Sequence, residues 1–142
     1  MLFRVPYENG VLEAISYDAA GRELGRDRLA TAGEATQLRL EAEDQRVEPG
    51  RLAFLRLRYT DENGTTKPCE RGMLQASVEG GTLEAFGSAC PFYEQSYLDD
   101  TSDTYYGEAL LIVRAGESGT ITASVTVGIR TAKTSVTVKE TI

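Results

Sequence analysis

The fold is decided by a stretch in which two alternating apolar runs flank an acidic turn: Leu52-Ala53-Phe54-Leu55-Arg56-Leu57-Arg58-Tyr59, then Asp61-Glu62-Asn63-Gly64, then Met73-Leu74-Gln75-Ala76-Ser77-Val78, closed by Gly80-Gly81. Alternation with a period of two indicates half-buried strands. An Asn-Gly pair supplies the positive φ angles that tight turns between strands need. The stretch therefore predicts strand, turn, strand.

The rest of the chain repeats this pattern of short alternating runs separated by glycine-rich corners. The predicted strands cover residues 11–17, 23–29, 37–40, 52–59, 73–79, 82–87, 109–114, 120–127 and 133–138, with Gly128 as the turn between the last two. Runs of this length, with turns every 8–12 residues, are typical of Ig-like domains. We expect an all-β fold, an Ig-like antiparallel β-sandwich.

A break in the pattern at Gly33-Glu34-Ala35 divides the chain. Before it, two strands joined by the turn Asp18-Ala19-Ala20-Gly21-Arg22 predict a hairpin that ends at Thr31-Ala32-Gly33. We therefore expect a hairpin over residues 1–33, the tail of a preceding Ig-like domain, and a sandwich over residues 34–142. Exposed strand edges need pairing or cover, so we expect the hairpin to dock on the sandwich or on another copy of the chain.

Charge and composition exclude several classes of partner. The 142 residues carry a net charge of −7, whereas nucleic acids and anionic membrane surfaces attract basic patches. No apolar run approaches the roughly 20 residues needed to span a bilayer. The chain opens abruptly on strand-like sequence, without the apolar core of a signal peptide, which suggests an excised piece of a longer chain. We expect no nucleic-acid or membrane partner.

The two cysteines, Cys69 and Cys90, leave two alternatives open. If the sheet folds up and down between them, both lie near the same end and can form a disulfide that closes a loop of about 20 residues, worth about 3 kcal/mol on the chain-entropy model. Otherwise they are buried or half-buried thiols. A bridge would favour a periplasmic or extracellular location, and without it the location is unknown.

An aromatic segment over residues 88–106 lacks any clear period. Loops longer than about 12–15 residues are uncommon in compact domains and are often functional. Its rings can pack on a neighbouring domain, cover one end of the sandwich, or bind sugar, since sugars stack their apolar faces on aromatic rings. Domain packing is the preferred interpretation. The candidate contact residues are Phe92, Tyr93, Tyr97, Tyr105 and Tyr106.

The chain offers little for catalysis, metals or cofactors. It has no His, which is the commonest general base, and neither thiol has an evident activating base. Asp99, Asp100 and Asp103 could contact calcium, but their spacing does not fit an EF-hand and a solvated loop is the preferred interpretation. We expect no catalytic residues, no metal and no cofactor.

Several elements, in order, resemble the C-terminal region of bacterial β-galactosidases of glycoside hydrolase family 2. The first are Val5-Pro6-Tyr7-Glu8-Asn9-Gly10 and Thr31-Ala32-Gly33, which match the end of one Ig-like domain. The second set matches the next domain: Asp61-x-Asn63-Gly64, Phe86-Gly87, Tyr106-Gly107-Glu108-Ala109-Leu110-x-Ile112-Val113-Arg114 and Gly119-Thr120-Ile121. The chain departs from the family at Gly87-Ser88-Ala89-Cys90-Pro91, where relatives commonly have Gly-Asn-Gly-Asp-Pro.

The resemblance implies a non-catalytic accessory domain, because catalysis in these enzymes resides on an upstream barrel that 142 residues could not form. Its partners would be the catalytic and other domains of the same polypeptide, with a homo-oligomer as a further contact. A carbohydrate-binding module with a glycan partner and an adhesin-type Ig-like repeat are the alternatives.

Overall fold

The computed structural model describes residues 2–92 and 94–139, and every regular element in them is a β-strand. Within these ranges no helix is long and apolar enough to cross a membrane. The strands are β1 (Val11–Tyr17), β2 (Glu23–Ala30), β3 (Gln37–Ala42), β4 (Arg46–Val47), β5 (Leu52–Thr60), β6 (Leu74–Glu79), β7 (Gly81–Gly87), β8 (Thr101–Ser102), β9 (Glu108–Ala115), β10 (Gly119–Val127) and β11 (Arg130–Val138).

The strands from β3 onward form two facing sheets. One sheet has the order β4-β11-β10-β6-β8 and the other has the order β3-β5-β9-β7. All pairings are antiparallel except the short parallel pair of β4 with β11. The all-β, Ig-like sandwich expected from the sequence is confirmed, and the turn predicted at Gly128 joins β10 to β11 at a φ of 55°.

Alternation along the strands fills the space between the sheets. In β5, Leu55 and Leu57 are fully buried, whereas Arg56 between them is exposed. Side chains of β9 and β10, such as Leu111 and Ile121, meet them from both sheets and are equally buried. Because burying one such side chain contributes about 1.5–3 kcal/mol, this shared core is the main stabilising element.

The acidic turn after β5 differs from the sequence prediction. β5 and β6 lie in opposite sheets, so they do not form a hairpin. After a single bridge between Thr60 and Thr66 the chain crosses to the other sheet. Only Gly64 takes a positive φ, 86°, and the loop has three residues instead of two. This is a type I turn closed by a left-handed glycine, which needs no positive φ at Asn63.

A glycine pair closes one end of the sandwich. Gly80 and Gly81 carry the chain from β6 directly into β7, and therefore from one sheet into the other. A Cβ on Gly80 would lie 2.1 Å from the carbonyl oxygen of Thr120, and one on Gly81 would lie 2.7 Å from that of Arg114. No side chain fits at either position, because backbone of both sheets meets there.

The N-terminal hairpin forms a two-stranded sheet of its own. β1 and β2 pair from Val11 with Ala30 to Tyr17 with Glu23, and every residue of β2 is exposed. The expected docking of these strands on the sandwich is therefore not seen within the chain, and docking on another copy stays a prediction. Hairpins of two strands are marginally stable in water without further packing.

Candidate functional site

Three of the five predicted aromatic residues meet in one cleft on the outer face of the β3-β5-β9-β7 sheet. Tyr97, Tyr105 and Tyr106 line it. Phe92 is 86% exposed and does not line the cleft, and Tyr93 lies outside the described residues. The aromatic segment is thus divided between a shared concave surface and an exposed loop tip.

The floor of the cleft is made by side chains that point away from the core. Ala85 of β7 pairs with Ile112 of β9, and Leu110 lies two residues before Ile112 on the same face. All three are half-buried. The cleft has a volume of about 620 Å³ and is lined by Glu43, Arg56, Ala85, Gly87, Ser88, Ala89, Tyr97, Tyr105, Tyr106, Glu108, Ala109, Leu110 and Ile112.

Tyr97 is held against the end of β7. A Cβ on Gly87 would lie 2.2 Å from Cδ1 of Tyr97, so the ring occupies the space above that glycine. The backbone N–H of Phe86 donates to the Tyr97 carbonyl oxygen over 2.8 Å, and the Tyr97 hydroxyl donates to the carbonyl oxygen of Ser88 over 3.3 Å. The long loop is thereby fixed to the sheet where its tyrosine reaches the cleft.

Tyr106 sits in a tight turn with an unusual backbone. The N–H and C=O groups of Tyr105 and Glu108 bond to each other over 3.0 and 3.1 Å, and the two residues between them have φ values of 51° for Tyr106 and 75° for Gly107. Positive φ at both central positions defines a type I′ turn, which favours Asn-Gly. Left-handed backbone costs a non-glycine residue roughly 1–2 kcal/mol.

Long-range contacts hold this turn in place. The N–H of Tyr59 donates to the Gly107 carbonyl oxygen over 2.8 Å, and a Cβ on Gly107 would lie 2.4 Å from the carbonyl oxygen of Lys67. Tyr106 is consequently presented to solvent with 67% of its surface exposed. Strained residues that the surrounding structure holds in place are concentrated at functional sites.

The two adjacent tyrosine rings contact each other. Their centroids are 4.5 Å apart and the planes are inclined by 64°, an edge-to-face arrangement that aromatic pairs favour. The hydrogen bond with Tyr106 is the main cause that raises the pKa of Tyr105. The pair offers a rigid aromatic wall with hydroxyl groups attached.

A charged rim borders the aromatic wall. Arg56 Nη2 donates to both carboxylate oxygens of Glu108, at 2.7 and 2.8 Å, and Glu43 adds a second carboxylate to the lining. Sequence analysis did not select these residues. The alternation along β5 and β9 indicates that Arg56 and Glu108 point outward. The pairing of the two strands is needed to show that these residues are neighbours.

The two cysteines are free thiols in the structure, with Cys69 exposed and Cys90 half-buried. β6 leads away from Cys69 to the glycine corner and β7 returns to Cys90, so both cysteines lie near the same end of the sandwich, as the sequence argument assumed. Cys69 faces a groove at the base of the hairpin, whereas Cys90 lies beside Tyr105. The disulfide, and the oxidising location that it would favour, stay predictions.

The carboxylate of Asp103, in the aromatic segment, has protein partners. Arg71 Nε donates to Asp103 over 2.9 Å, and the backbone N–H of Gly72 donates to Asp103 over 3.1 Å. Burial alone would raise the pKa of Asp103, but these donors outweigh it and lower the pKa. The backbone carbonyl oxygen of Asp100 accepts from the backbone N–H of Ala76 in β6. Among the residues that the structure describes, no group of acids and thiols forms a candidate metal site.

A second feature is the joint between hairpin and sandwich, which is held by Asp61. This residue is 2% exposed and accepts backbone hydrogen bonds from Gly33 at 2.8 Å, Asn63 at 2.9 Å and Thr65 at 2.8 Å. The bond from Gly33 is the main cause that lowers the pKa of Asp61. The carboxylate thus binds the joint to the turn after β5.

The tip of the hairpin has the same turn. Asp18 accepts hydrogen bonds from the N–H groups of Ala20 and Arg22, which follow it by two and four positions. Asp61 accepts from the residues two and four positions after it in the same way. Each turn has a glycine with a left-handed backbone, Gly21 in one and Gly64 in the other. The two turns differ in the partner of the second carboxylate oxygen. In Asp18 this oxygen accepts from the Arg22 side chain, and in Asp61 it accepts from the backbone N–H of Gly33 at the joint.

A groove of about 920 Å³ lies where the N-terminal segment and the base of the hairpin face the turn after β5. Tyr7 lines it and donates to Asn9 over 2.8 Å, and Thr31 closes the hairpin by accepting from the N–H of Gly10 over 3.2 Å. The opposite wall is residues 66–70. This groove and the aromatic cleft share no lining residue.

Known structures resemble this chain along nearly its whole length. A glycoside hydrolase family 2 member from Bacteroides cellulosilyticus DSM 14838 is 32% identical with a TM-score of 0.88, and the match covers 96% of this chain and 19% of that one. A β-glycosidase from Bacteroides vulgatus is 22% identical with a TM-score of 0.82, covering 94% and 18%.

A β-glucuronidase from glycoside hydrolase family 2 shares the fold at 18% identity and a TM-score of 0.74, covering 97% of this chain and 15% of that one. The chain thus spans less than a fifth of the length of these proteins. No curated protein sequence matches it. The sequence profile described as glycoside hydrolase family 2 C-terminal domain 5 matches residues 37–135, which is most of the sandwich. The chain therefore belongs to the glycoside hydrolase family 2 C-terminal domain 5 family.

Proposed function

We propose that this chain is a non-catalytic accessory segment that braces the catalytic part of a family 2 glycoside hydrolase, with the hairpin as its contact. The observation that carries the proposal is an exposed leucine pair. Leu12 and Leu29 are cross-strand partners near the base of the hairpin and are 51% and 69% exposed. Apolar pairs on a two-stranded sheet need cover to contribute to stability.

The joint supports this role because it gives the hairpin a fixed origin. The bond from Gly33 to Asp61 ties the end of the hairpin segment to the sandwich at a buried carboxylate. A hairpin that is attached to an ordered joint loses less conformational entropy on binding a neighbour than a freely moving hairpin would. In this proposal residues 1–33 complete a preceding Ig-like domain, and residues 34–142 form the domain that carries them.

The test uses the full-length parent enzyme and the 142-residue chain. Leu12→Asp and Leu29→Asp should leave the Tm of the isolated chain nearly unchanged and lower that of the parent by several degrees, because only the parent covers these side chains. Ile129→Asp is the control, since Ile129 is fully exposed in the turn between β10 and β11 and belongs to neither hairpin strand.

Two results would count against bracing. The parent could keep its Tm and activity in both leucine variants. Alternatively, light scattering could show that the isolated chain dimerises and that Leu12→Asp makes it monomeric, which would assign the hairpin to contacts between copies.

We further propose that the parent acts on β-galactosides. The support is the sequence resemblance of residues 5–14 and 31–33 to β-galactosidases of this family. Hydrolysis of p-nitrophenyl β-galactoside by the parent, compared with the corresponding β-glucuronide, tests this directly. A preference for the glucuronide would reject it without affecting the bracing role.

A further inference from the structure

The aromatic cleft has the size and lining of a small-molecule site. Its volume of about 620 Å³ falls within the range of roughly 300–1,000 Å³ that is usual for ligand pockets. It is concave, has an apolar floor of Leu110 and Ile112, and ends in polar groups at the rim. A flat apolar face suited only to domain packing would not need this shape.

The lining matches the two kinds of surface that a pyranose ring presents. The C–H faces of a sugar pack on aromatic rings, and its hydroxyl groups bond to carboxylates, guanidinium groups and phenols. Tyr97 and Tyr106 expose 48% and 67% of their surface beside the charged rim. We propose that this cleft is a glycan-binding site for a neutral pyranoside, distinct from the hairpin contact proposed above.

The restriction to a neutral sugar follows from the charges at the rim. Glu43 and Glu108 contribute two carboxylates against one guanidinium, and Arg56 already binds both oxygens of Glu108. A uronate would meet a net negative rim on a chain of net charge −7. Like charges at short distance disfavour binding, so glucuronides bind less tightly than galactosides or glucosides.

The backbone at Tyr106 supports a binding role over a purely structural one. The type I′ turn favours Asn before Gly, yet this chain has a tyrosine there at a φ of 51°, with the ring mostly exposed. The residue satisfies neither the local turn preference nor the core. Departures of this kind are expected where a side chain is required for function.

The experiment titrates the 142-residue chain with methyl β-galactopyranoside, methyl β-glucopyranoside and methyl β-glucuronide, followed by the NMR shifts of cleft residues. We expect saturable binding of a neutral glycoside with a Kd on the order of 1 mM, and at least about tenfold weaker binding of the glucuronide. Tyr106→Asn should abolish the shifts. This variant restores the preferred turn sequence, so lost binding cannot be attributed to unfolding.

Tyr7→Ala is the matched control, because Tyr7 is 80% exposed but lies at the groove by the hairpin. It should bind like the wild type. The proposal is overturned if no neutral glycoside binds at 50 mM, about fifty times the expected Kd. An equal loss of glycoside binding in Tyr7→Ala would also overturn it. So would tighter binding of the glucuronide than of the neutral glycosides.

A neighbouring protein domain is the other possible occupant, and the parent enzyme distinguishes it. If hydrogen exchange at residues 105–108 is strongly slowed in the parent relative to the isolated chain, the cleft is covered by protein and the glycan assignment fails. The bracing role of the hairpin would survive that result, because the leucine variants report on it separately.

Discussion

The backbone N–H of Gly33 donates to Asp61 Oδ2 over 2.8 Å, and this bond joins the hairpin segment to the sandwich. The same carboxylate uses its other oxygen to order the turn after β5, through Asn63 and Thr65. One buried side chain therefore sets both the path of the chain between sheets and the attachment of the hairpin.

Replacing this carboxylate should loosen the joint. Asp61→Asn leaves one acceptor oxygen where two are used, so the bond to Gly33 or those to the turn must be lost. We expect a lower Tm and faster hydrogen exchange at Gly33. Asp18→Asn alters the equivalent turn at the exposed tip and should have a smaller effect on Tm. Equal effects in the two variants would show that the joint itself contributes nothing.

Acid should weaken the same contact. The pKa of Asp61 is lowered in the folded protein, chiefly by the N–H of Gly33, so the unfolded chain binds the proton more readily. The stability that Asp61 contributes is fully present above the ordinary pKa of about 3.9. It is lost as the pH falls through the lower pKa of the folded protein.

The measurement is the Tm of wild type and Asp61→Asn between pH 7 and pH 2. Asp18 and Asp103 also have lowered pKa values, so both proteins lose stability in acid. The difference between the two curves isolates Asp61 and should narrow below about pH 4. A constant difference across this range would contradict the assignment.

Tyr106→Asn should stabilise the isolated chain. Asn tolerates left-handed backbone better than tyrosine, and relief of about 1 kcal/mol should raise the Tm by about 3 °C in a domain of this size. Thermal unfolding checks this. Gly107→Ala is the opposing control, because φ is 75° and the Cβ would meet the Lys67 carbonyl, so it should lower the Tm strongly. A destabilising Tyr106→Asn would mean that the ring contributes to folding.

Two neighbouring leucines of β9 should respond differently to truncation. Leu111 is fully buried between the sheets, so Leu111→Ala should cost about 2–5 kcal/mol. Leu110 is half-buried in the floor of the cleft, so Leu110→Ala should cost less than about 1 kcal/mol. Urea unfolding of the isolated chain measures both. Similar losses would show that the outer face of the sheet is packed as tightly as the core.

Strand positions were predictable from the sequence because alternation is a local property. The bounds of β1 agree with the prediction, and those of β5 and β6 agree within one residue. The two-residue strands β4 and β8 were missed, since a run of two residues has no period. Which strands pair was less accessible, because the turn after β5 is compatible with either a hairpin or a crossing between sheets.

The cleft was predicted only in part, because it depends on which strands are neighbours. An excess of tyrosine in a long loop identified Tyr97, Tyr105 and Tyr106 as a group. The turn at Tyr106 depends on a bond from Tyr59 and on the carbonyl of Lys67, both distant in sequence. Arg56 and Glu108 meet only because β5 and β9 are neighbours. Contacts of this kind have no signature in a single sequence.

The glycine corner at residues 80–81 and the tyrosine turn lie at opposite ends of β9, because β9 begins beside Gly107 and ends where Gly81 pairs with Ala115. At the corner, main chain of both sheets leaves no room for a Cβ, whereas the other end of β9 carries the joint, the cleft and the loop tip. An insertion between β6 and β7 would therefore force the two sheets apart. Inserted peptides and affinity tags belong in the exposed loops, and residues 80–81 will accept none of them.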